Sequence, residues 1–332
     1  MSNIAIYVRE DKLGDALLKY PALRAFKQTL PTKSKIIWII GNESSVFRES
    51  LSFLSKDIIF FFYEKIDSKP IVQLKDILDK HKVKYLINTE SKIRPCVFLK
   101  RAHKGLYICS ALNYLFSDRK PKGQDCNNSV FNYFCNLLTL ASDSKLNLDF
   151  DIDVPKNYKK YANDVLSETR YVGFSPGASD FNKAWKTDYF IKLALLKNKY
   201  RFLPVFFLGP NETHFKEKIL KEIPDCKIIP GHNLPKDINN IPLLTIATAR
   251  KLMFSVANDS GGGHLLATGR KPMITIFGKN RAGKFLSPYC KQTSVNTQDF
   301  GKKNVVDLEY KPVYDEFIKM VTNINPIYEK NN

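Results

Sequence analysis

The residues best suited to chemistry lie in the stretch SVANDSGGGHLLATGRKPMITIFG, Ser255 to Gly278. Three contiguous glycines, Gly261 to Gly263, follow Asp259 and Ser260 and precede His264. Glycine lets the backbone come close to a ligand, and a helix opening after such a turn points unpaired N–H groups at it. That combination suits an anion, phosphate above all. Leu252 to Val256 and Pro272 to Phe277 are apolar runs suited to buried strands. Between them a short helix from His264 to Thr268 is expected, with Gly269 as its C-cap. The stretch is not a G-x-x-x-x-G-K-[ST] P-loop, and contiguous glycines do not make the G-x-G-x-x-G fingerprint of dinucleotide sites. A plain strand-to-helix connection with Asp259 as N-cap would use the same residues, so the stretch alone leaves both readings open.

The wording N-D-S-G-x-x-H-L, a small-residue helix and then K-P-M-I-T-I-F-G resembles glycosyltransferase family 9, the heptosyltransferases. The resemblance implies that Asp259, Ser260, Gly261 and His264 cradle the diphosphate of a nucleotide-sugar donor. Gly262 and Gly263 depart from the bulkier residues of many members. A second shared motif is L-G-D-x-L-L-x-x-P-A-L-R-A-F-K near the N-terminus, and it implies that Asp15 is the catalytic base. Asp15 also stands at the head of a helix, where an N-cap role competes with the catalytic one. The third motif, G-A-x-x-x-x-K-x-W from Gly177 to Trp185, implies that Lys183 contacts donor phosphate and that Ser179 offers a hydroxyl to the same group. Glu212, just after a glycine turn, matches an acidic residue that bonds the donor ribose in the family. Each has an ordinary alternative: a surface lysine is solvated, and a glutamate in a first helical turn is stabilised by the macrodipole.

From the same resemblance follow an α/β GT-B fold, with two Rossmann-like doubly wound domains facing a central cleft, and a division of labour. Residues 1–155 form the acceptor-binding domain and residues 156–332 the nucleotide-sugar-binding domain. The implied reaction is inverting transfer of a heptose from ADP-heptose to an anionic lipopolysaccharide-core acceptor, with no metal and no cofactor. Two alternatives stay open: another nucleotide sugar and surface glycan, or a non-enzymatic basic protein that binds polyanions.

The elements that must position these residues alternate along the chain. Strands are expected at Asn3 to Arg9, Ser34 to Ile40, Ile58 to Tyr63 and Lys84 to Asn88, with helices near Ser44 to Leu54 and Ile71 to Lys80. Strands alternating with helices imply a parallel doubly wound sheet. Pro21 falls inside the first helical pattern and predicts a kink or break there. From Ile93 to Tyr133 the pattern weakens into basic residues mixed with aromatics, a region suited to the acceptor side. LDFDIDVP, Leu148 to Pro155, spells D-x-D twice, the metal–diphosphate motif of another glycosyltransferase fold. Its strict alternation instead predicts an edge strand with one wet face, ended by Pro155. The alternation restarts with strands at Tyr171 to Ser175, Phe202 to Leu208 and Lys227 to Ile229 and a helix from Ile241 to Ala249. A last helix, Val313 to Thr322, is expected to pack back across the first domain.

The 332 residues carry 52 Lys and Arg against 33 Asp and Glu, a formal net charge of +19. Charge of that sign favours polyanionic partners. No zinc finger or aromatic RNA-recognition motif accompanies it, so nucleic acid is not the expected partner. Six cysteines without a C-x-x-C pair or histidine-spaced partner read as reduced thiols rather than a zinc site. With no signal peptide and no apolar stretch of transmembrane length, a cytoplasmic location is expected. The basic charge allows peripheral contact with the inner membrane.

Overall fold

The computed structural model of the protein describes residues 3–41, 45–63, 71–122, 129–142, 144–279 and 281–324. The chain divides into two compact units, Met1–Asp149 and Phe150–Asn332, each built on its own parallel sheet.

In the first unit β1 (Asn3–Val8), β2 (Ile36–Ile40), β3 (Ile58–Phe62), β4 (Val83–Asn88) and β5 (Leu106–Ile108) lie in the order β3-β2-β1-β4-β5. β1 is central, and Ile6 pairs with Trp38 on one side and Ile87 on the other. A strand covered on both faces must be apolar at successive positions. That is why IIWII is buried throughout, while IIFFF at the sheet edge is half-buried. The helix Leu13–Thr29 runs unbroken through Pro21, where the sequence predicts a kink or break. Proline contributes no N–H to the ladder, but Ala22, Leu23 and Phe26 are buried beside it, and this packing outweighs one missing hydrogen bond. The helix expected near Ser44 to Leu54 is instead a run of turns ending in the 3-10 turn Ser52–Leu54, and Ser44 lies outside the described residues. Where the pattern weakened, the structure has helices Ile93–Ala102 and Val130–Ser142 with β5 between them.

The second unit contains β6 (Tyr171–Ser175), β7 (Leu203–Phe207), β8 (Lys227–Ile229), β9 (Leu252–Asn258), β10 (Met273–Phe277) and β11 (Gln292–Asn296), in the order β11-β10-β9-β6-β7-β8. The chain winds from β6 outward to β8, then returns to β9 on the other side of β6 and winds outward again. Ligands of such sheets sit beyond the carboxyl ends of the strands at the point of reversal, here between β6 and β9. Phe174, Phe206 and Phe254 form the core, and the last helix, Tyr310–Ile324, lays Val313, Phe317 and Val321 into it. Its apolar face is therefore buried in the second unit's own core.

LDFDIDVP is not a strand. Asp149 pairs with Arg24 at 3.1 Å, Asp151 with Arg250 at 2.9 Å, and Arg250 also donates to the Ile152 carbonyl. The alternation is real, with Ile152 and Val154 buried. Asp149 and Asp151 meet arginines while still half exposed, Asp153 faces water, and the backbone joins no sheet. Cys96, Cys109, Cys135, Cys226 and Cys290 are free thiols, while Cys126 lies outside the described residues. Among the described residues no helix is long and apolar enough to cross a membrane.

Candidate functional site

The carboxyl end of β9 organises the second unit's loops. The buried strand ends on Asn258, and Asp259 and Ser260 lead into the helix Gly261–Ala267. The glycines are thus the first turn of the helix, not a loop before it. Ser260 is the N-cap, extended at φ −149° and accepting a hydrogen bond from the Gly263 N–H at 3.2 Å, so Asp259 is not the cap. Packing makes glycine necessary at position 263 and favours it at 262. A Cβ on Gly263 would lie 2.5 Å from the Asn258 carbonyl oxygen, and one on Gly262 would lie 2.7 Å from the Ser175 Oγ at the end of β6. Gly269 is likewise a packing residue, because its Cβ would meet Ala249 at 2.6 Å. Thr268 is the C-cap, and Arg270 takes the left-handed conformation at φ 62°.

Asp259 keeps its carboxylate for other partners. Its side chain is 6% exposed, receives the Arg281 Nε at 2.5 Å and lies 3.7 Å from the His264 Nε2. Burial alone would raise this carboxyl's pKa. The hydrogen bonds and charges of His264 and Arg281 outweigh burial and hold it below the ordinary aspartate value.

Asn258, wholly buried, joins β9 to the loop after β6. Its Oδ1 accepts the Trp185 N–H at 3.0 Å and its Nδ2 donates to the Pro176 carbonyl at 2.7 Å. Trp185 is fixed further by its ring N–H, which donates to the Leu308 carbonyl at 3.0 Å. Between Pro176 and Trp185 the chain makes the 3-10 turn Phe181–Lys183, capped by Asp180, whose Oδ1 accepts the Asn182 N–H at 2.9 Å. Lys183 ends this turn half-buried and Ser179 is exposed in the same loop. Among the described residues neither side chain has a hydrogen-bonding or ionic partner, so neither is bonded to Asp259.

Glu212 comes from the loop after β7, in the 3-10 turn Pro210–Phe215. Its carboxylate fills the space that a Cβ on Gly177 or Gly209 would need, at 2.6 and 2.4 Å. The loops after β6 and β7 therefore meet at this side chain, and partial burial raises its pKa against the smaller lowering effects of backbone hydrogen bonds and His214. Together, Asn258, Ser175, Gly177 and Glu212 knit the carboxyl ends of β9, β6 and β7, three adjacent strands that span the switch point.

In the first unit Asp15 is the third residue of the helix Leu13–Thr29, whose N-cap is Lys12, so the N-cap reading of Asp15 falls. Its side chain is half-buried and, among the described residues, has no hydrogen-bonding or ionic partner. The preceding loop is anchored by Asp11, which is 6% exposed. The Asp11 Oδ2 accepts from the Trp38 ring N–H at 2.7 Å and its Oδ1 lies 3.6 Å from the Lys19 Nζ. Asp15 thus stands in the first turn of a helix that follows a braced loop at the carboxyl end of β1, the strand beside which this sheet reverses.

Three residues here were not singled out as functional from sequence. Asn258 carried a signal, a polar residue closing an apolar strand inside the N-D-S-G motif. Asp11 and Arg281 carried none, because their partners lie 27 and 22 residues away. Among the described residues no group of three or more His, Cys, Asp or Glu is placed to hold a metal ion.

Two Rossmann-like α/β halves of this kind define the GT-B class of glycosyltransferases. The chain is similar in fold to the glycosyl transferase family 9 structure from Veillonella parvula DSM 2008, with a TM-score of 0.67, 16% identity and 97% of each chain covered. It is similar also to E. coli ADP-heptose lps heptosyltransferase II (TM-score 0.64, 16% identity, 97% of this chain and 99% of that one). A third is E. coli heptosyltransferase WaaC with ADP (TM-score 0.63, 17% identity, 97% and 98%). No curated protein sequence matches the chain. The family profile described as glycosyltransferase family 9 (heptosyltransferase) matches residues 89–311, more than half of the chain. The protein belongs to glycosyltransferase family 9.

Proposed function

We propose that the protein is an inverting glycosyltransferase that moves a heptose from ADP-heptose to an anionic lipopolysaccharide-core acceptor. The observation that carries the donor half is the convergence of three loops at the β6/β9 reversal, through Asn258, Glu212 and Gly262. On this reading residues 156–332 bind the donor and residues 1–155 the acceptor. Lys183, Ser179 and the Ser260 to His264 turn face the diphosphate, and Glu212 bonds the ribose. E. coli WaaC, similar in fold, is described with ADP and with ADP-2-deoxy-2-fluoro heptose, which supports the choice of nucleotide.

Asp15 acts as general base. It takes the proton from the acceptor hydroxyl as that oxygen bonds to the anomeric carbon from the face opposite the diphosphate. The bond from the anomeric carbon to the diphosphate oxygen breaks, and the nucleotide diphosphate leaves with both electrons. Cationic and dipolar groups stabilise it, with no divalent metal. The net charge of +19 suits a phosphorylated glycolipid at the cytoplasmic face of the inner membrane.

The test is a thermal-shift screen of ADP-, UDP- and GDP-sugars, followed by a transfer assay with the sugar that binds. A ligand bound only by the folded state raises its stability. ADP-heptose is expected to raise the melting temperature and to be consumed in the presence of EDTA. A shift with a different sugar nucleotide alone would move the assignment to another donor, and full loss of turnover in EDTA with recovery in magnesium would end the metal-free reading.

A further inference from the structure

Arg281 lies at the carboxyl edge of β10, three residues past Gly278, and is held on two sides. Its Nε binds the Asp259 carboxylate at 2.5 Å, and its guanidinium sits 4.3 Å above the ring of Phe285, one turn further along the short helix Ala282–Phe285. Asp259 is itself fixed, since its backbone N–H donates to the Ile276 carbonyl at 3.0 Å. A guanidinium carries five N–H donors in a rigid fork. Here one is spent. Among the described residues the terminal nitrogens of Arg281 have no protein acceptor, and its side chain is 32% exposed, against 6% for Asp259.

An arginine fixed at its Nε and across its face, with its terminal amino groups free, is organised in advance for an anion. The position fits one. Asp259 immediately precedes the N-cap Ser260, so Arg281 is tied to the segment at the strand reversal. An unpaired buried carboxylate there would repel a diphosphate, and Arg281 both cancels that charge and has donors left over.

We propose that Arg281 is a donor-binding residue whose Nε is held by Asp259 and whose terminal amino groups bind the diphosphate of the sugar nucleotide. The assignment rests on the donor site proposed above. It differs from a role as counter-ion to Asp259 alone, in which Arg281 only keeps a carboxylate charged.

Calorimetric titration separates the roles. ADP, UDP and GDP are titrated into the wild-type protein, and the tightest of them is compared with its monophosphate. Arg281→Met is expected to weaken the diphosphate about tenfold or more, the scale of one charge-assisted hydrogen bond, and the monophosphate less. The double variant Arg281→Met/Asp259→Asn removes the carboxylate that a counter-ion would serve, and it should remain as weak as Arg281→Met. Recovery of wild-type diphosphate affinity in the double variant, or unchanged affinity in Arg281→Met, overturns the proposal. If Arg281→Met does not fold, Arg281→Lys takes its place. It keeps the charge but loses the fork, and should still weaken the diphosphate, whereas wild-type affinity in this variant overturns the proposal. Failure of wild-type protein to bind any of the three diphosphates would instead sink the donor site itself.

Discussion

The Asn258 side chain accepts the Trp185 N–H at 3.0 Å while its amide donates to the Pro176 carbonyl at 2.7 Å, so one buried residue holds both ends of the loop that carries Ser179 and Lys183. Both contacts are between groups without access to water. Asn258→Ala leaves the Trp185 N–H and the Pro176 carbonyl unsatisfied. A buried polar group left so costs about 1–3 kcal/mol. Urea unfolding of Asn258→Ala should show a loss of at least that size, together with weaker donor binding. Asn258→Asp keeps the acceptor but not the donor and should fall between. A fully stable Asn258→Ala protein that binds donor like the wild type would mean the loop holds its shape without this brace.

Which features the sequence disclosed depends on where the stabilising partner lies. Strands such as IIWII and YVGFS are covered on both faces, so burial writes itself into consecutive residues and the doubly wound order follows. β11, QTSVN, sits at the sheet edge and is too polar for that signal. LDFDIDVP misled because alternation records which side chains are buried, and it records nothing of whether the backbone is paired in a sheet. In the proposed site, the sequence disclosed a glycine turn between a buried strand and a helix. The reason for its glycines was not legible, because Gly263 is required by the Asn258 carbonyl and Gly262 lies against Ser175, contacts fixed by the fold.

Two carboxylates of the second unit should respond to pH with opposite signs. The Asp259 pKa is lowered in the fold, because His264 and Arg281 outweigh its burial. Its contribution is therefore full above the unfolded aspartate value and lost as pH falls through the lower folded value. The Glu212 pKa is raised, chiefly by burial. The fold therefore favours protonated Glu212 below the unfolded value, and this contribution is lost as pH rises through the folded one. Glu212→Gln is expected to be more stable than wild type at pH 7, with the gain vanishing below about pH 4. Asp259→Asn is expected to be less stable at pH 7, with the deficit shrinking as pH falls below that range. Denaturation of the three proteins across pH 3 to 8, a span of about five units bracketing the carboxylate range, checks both signs. Parallel curves would refute the linkage.

Lys183 ends a capped turn without a side-chain partner among the described residues, so its ammonium is available to a phosphate. A charge-assisted hydrogen bond contributes about 1.5–3 kcal/mol. Lys183→Ala should therefore weaken the donor about tenfold or more, with the melting temperature little changed because no hydrogen bond or ion pair is lost. Equal donor affinity by calorimetry would return Lys183 to an ordinary solvated lysine.

Asp15 allows the sharpest test, since the helix is capped by Lys12 and not by Asp15. At the third helical position its charge still favours the helix N-terminus, an effect of about 0.3–1 kcal/mol that Asp15→Asn would remove. General-base catalysis is a far larger effect in rate, about 10²–10⁴-fold. Asparagine fills the same space and keeps an oxygen acceptor, but it cannot take a proton. Asp15→Asn should lower turnover by that order, with donor affinity near wild type and stability changed by no more than the dipole effect. Asp15→Glu keeps a base on a longer stem and should recover part of the rate, which a purely structural role would not produce. Near wild-type turnover of Asp15→Asn at saturating donor and acceptor would remove Asp15 from the chemistry. The proton would then have to go to another carboxylate or to the leaving diphosphate itself.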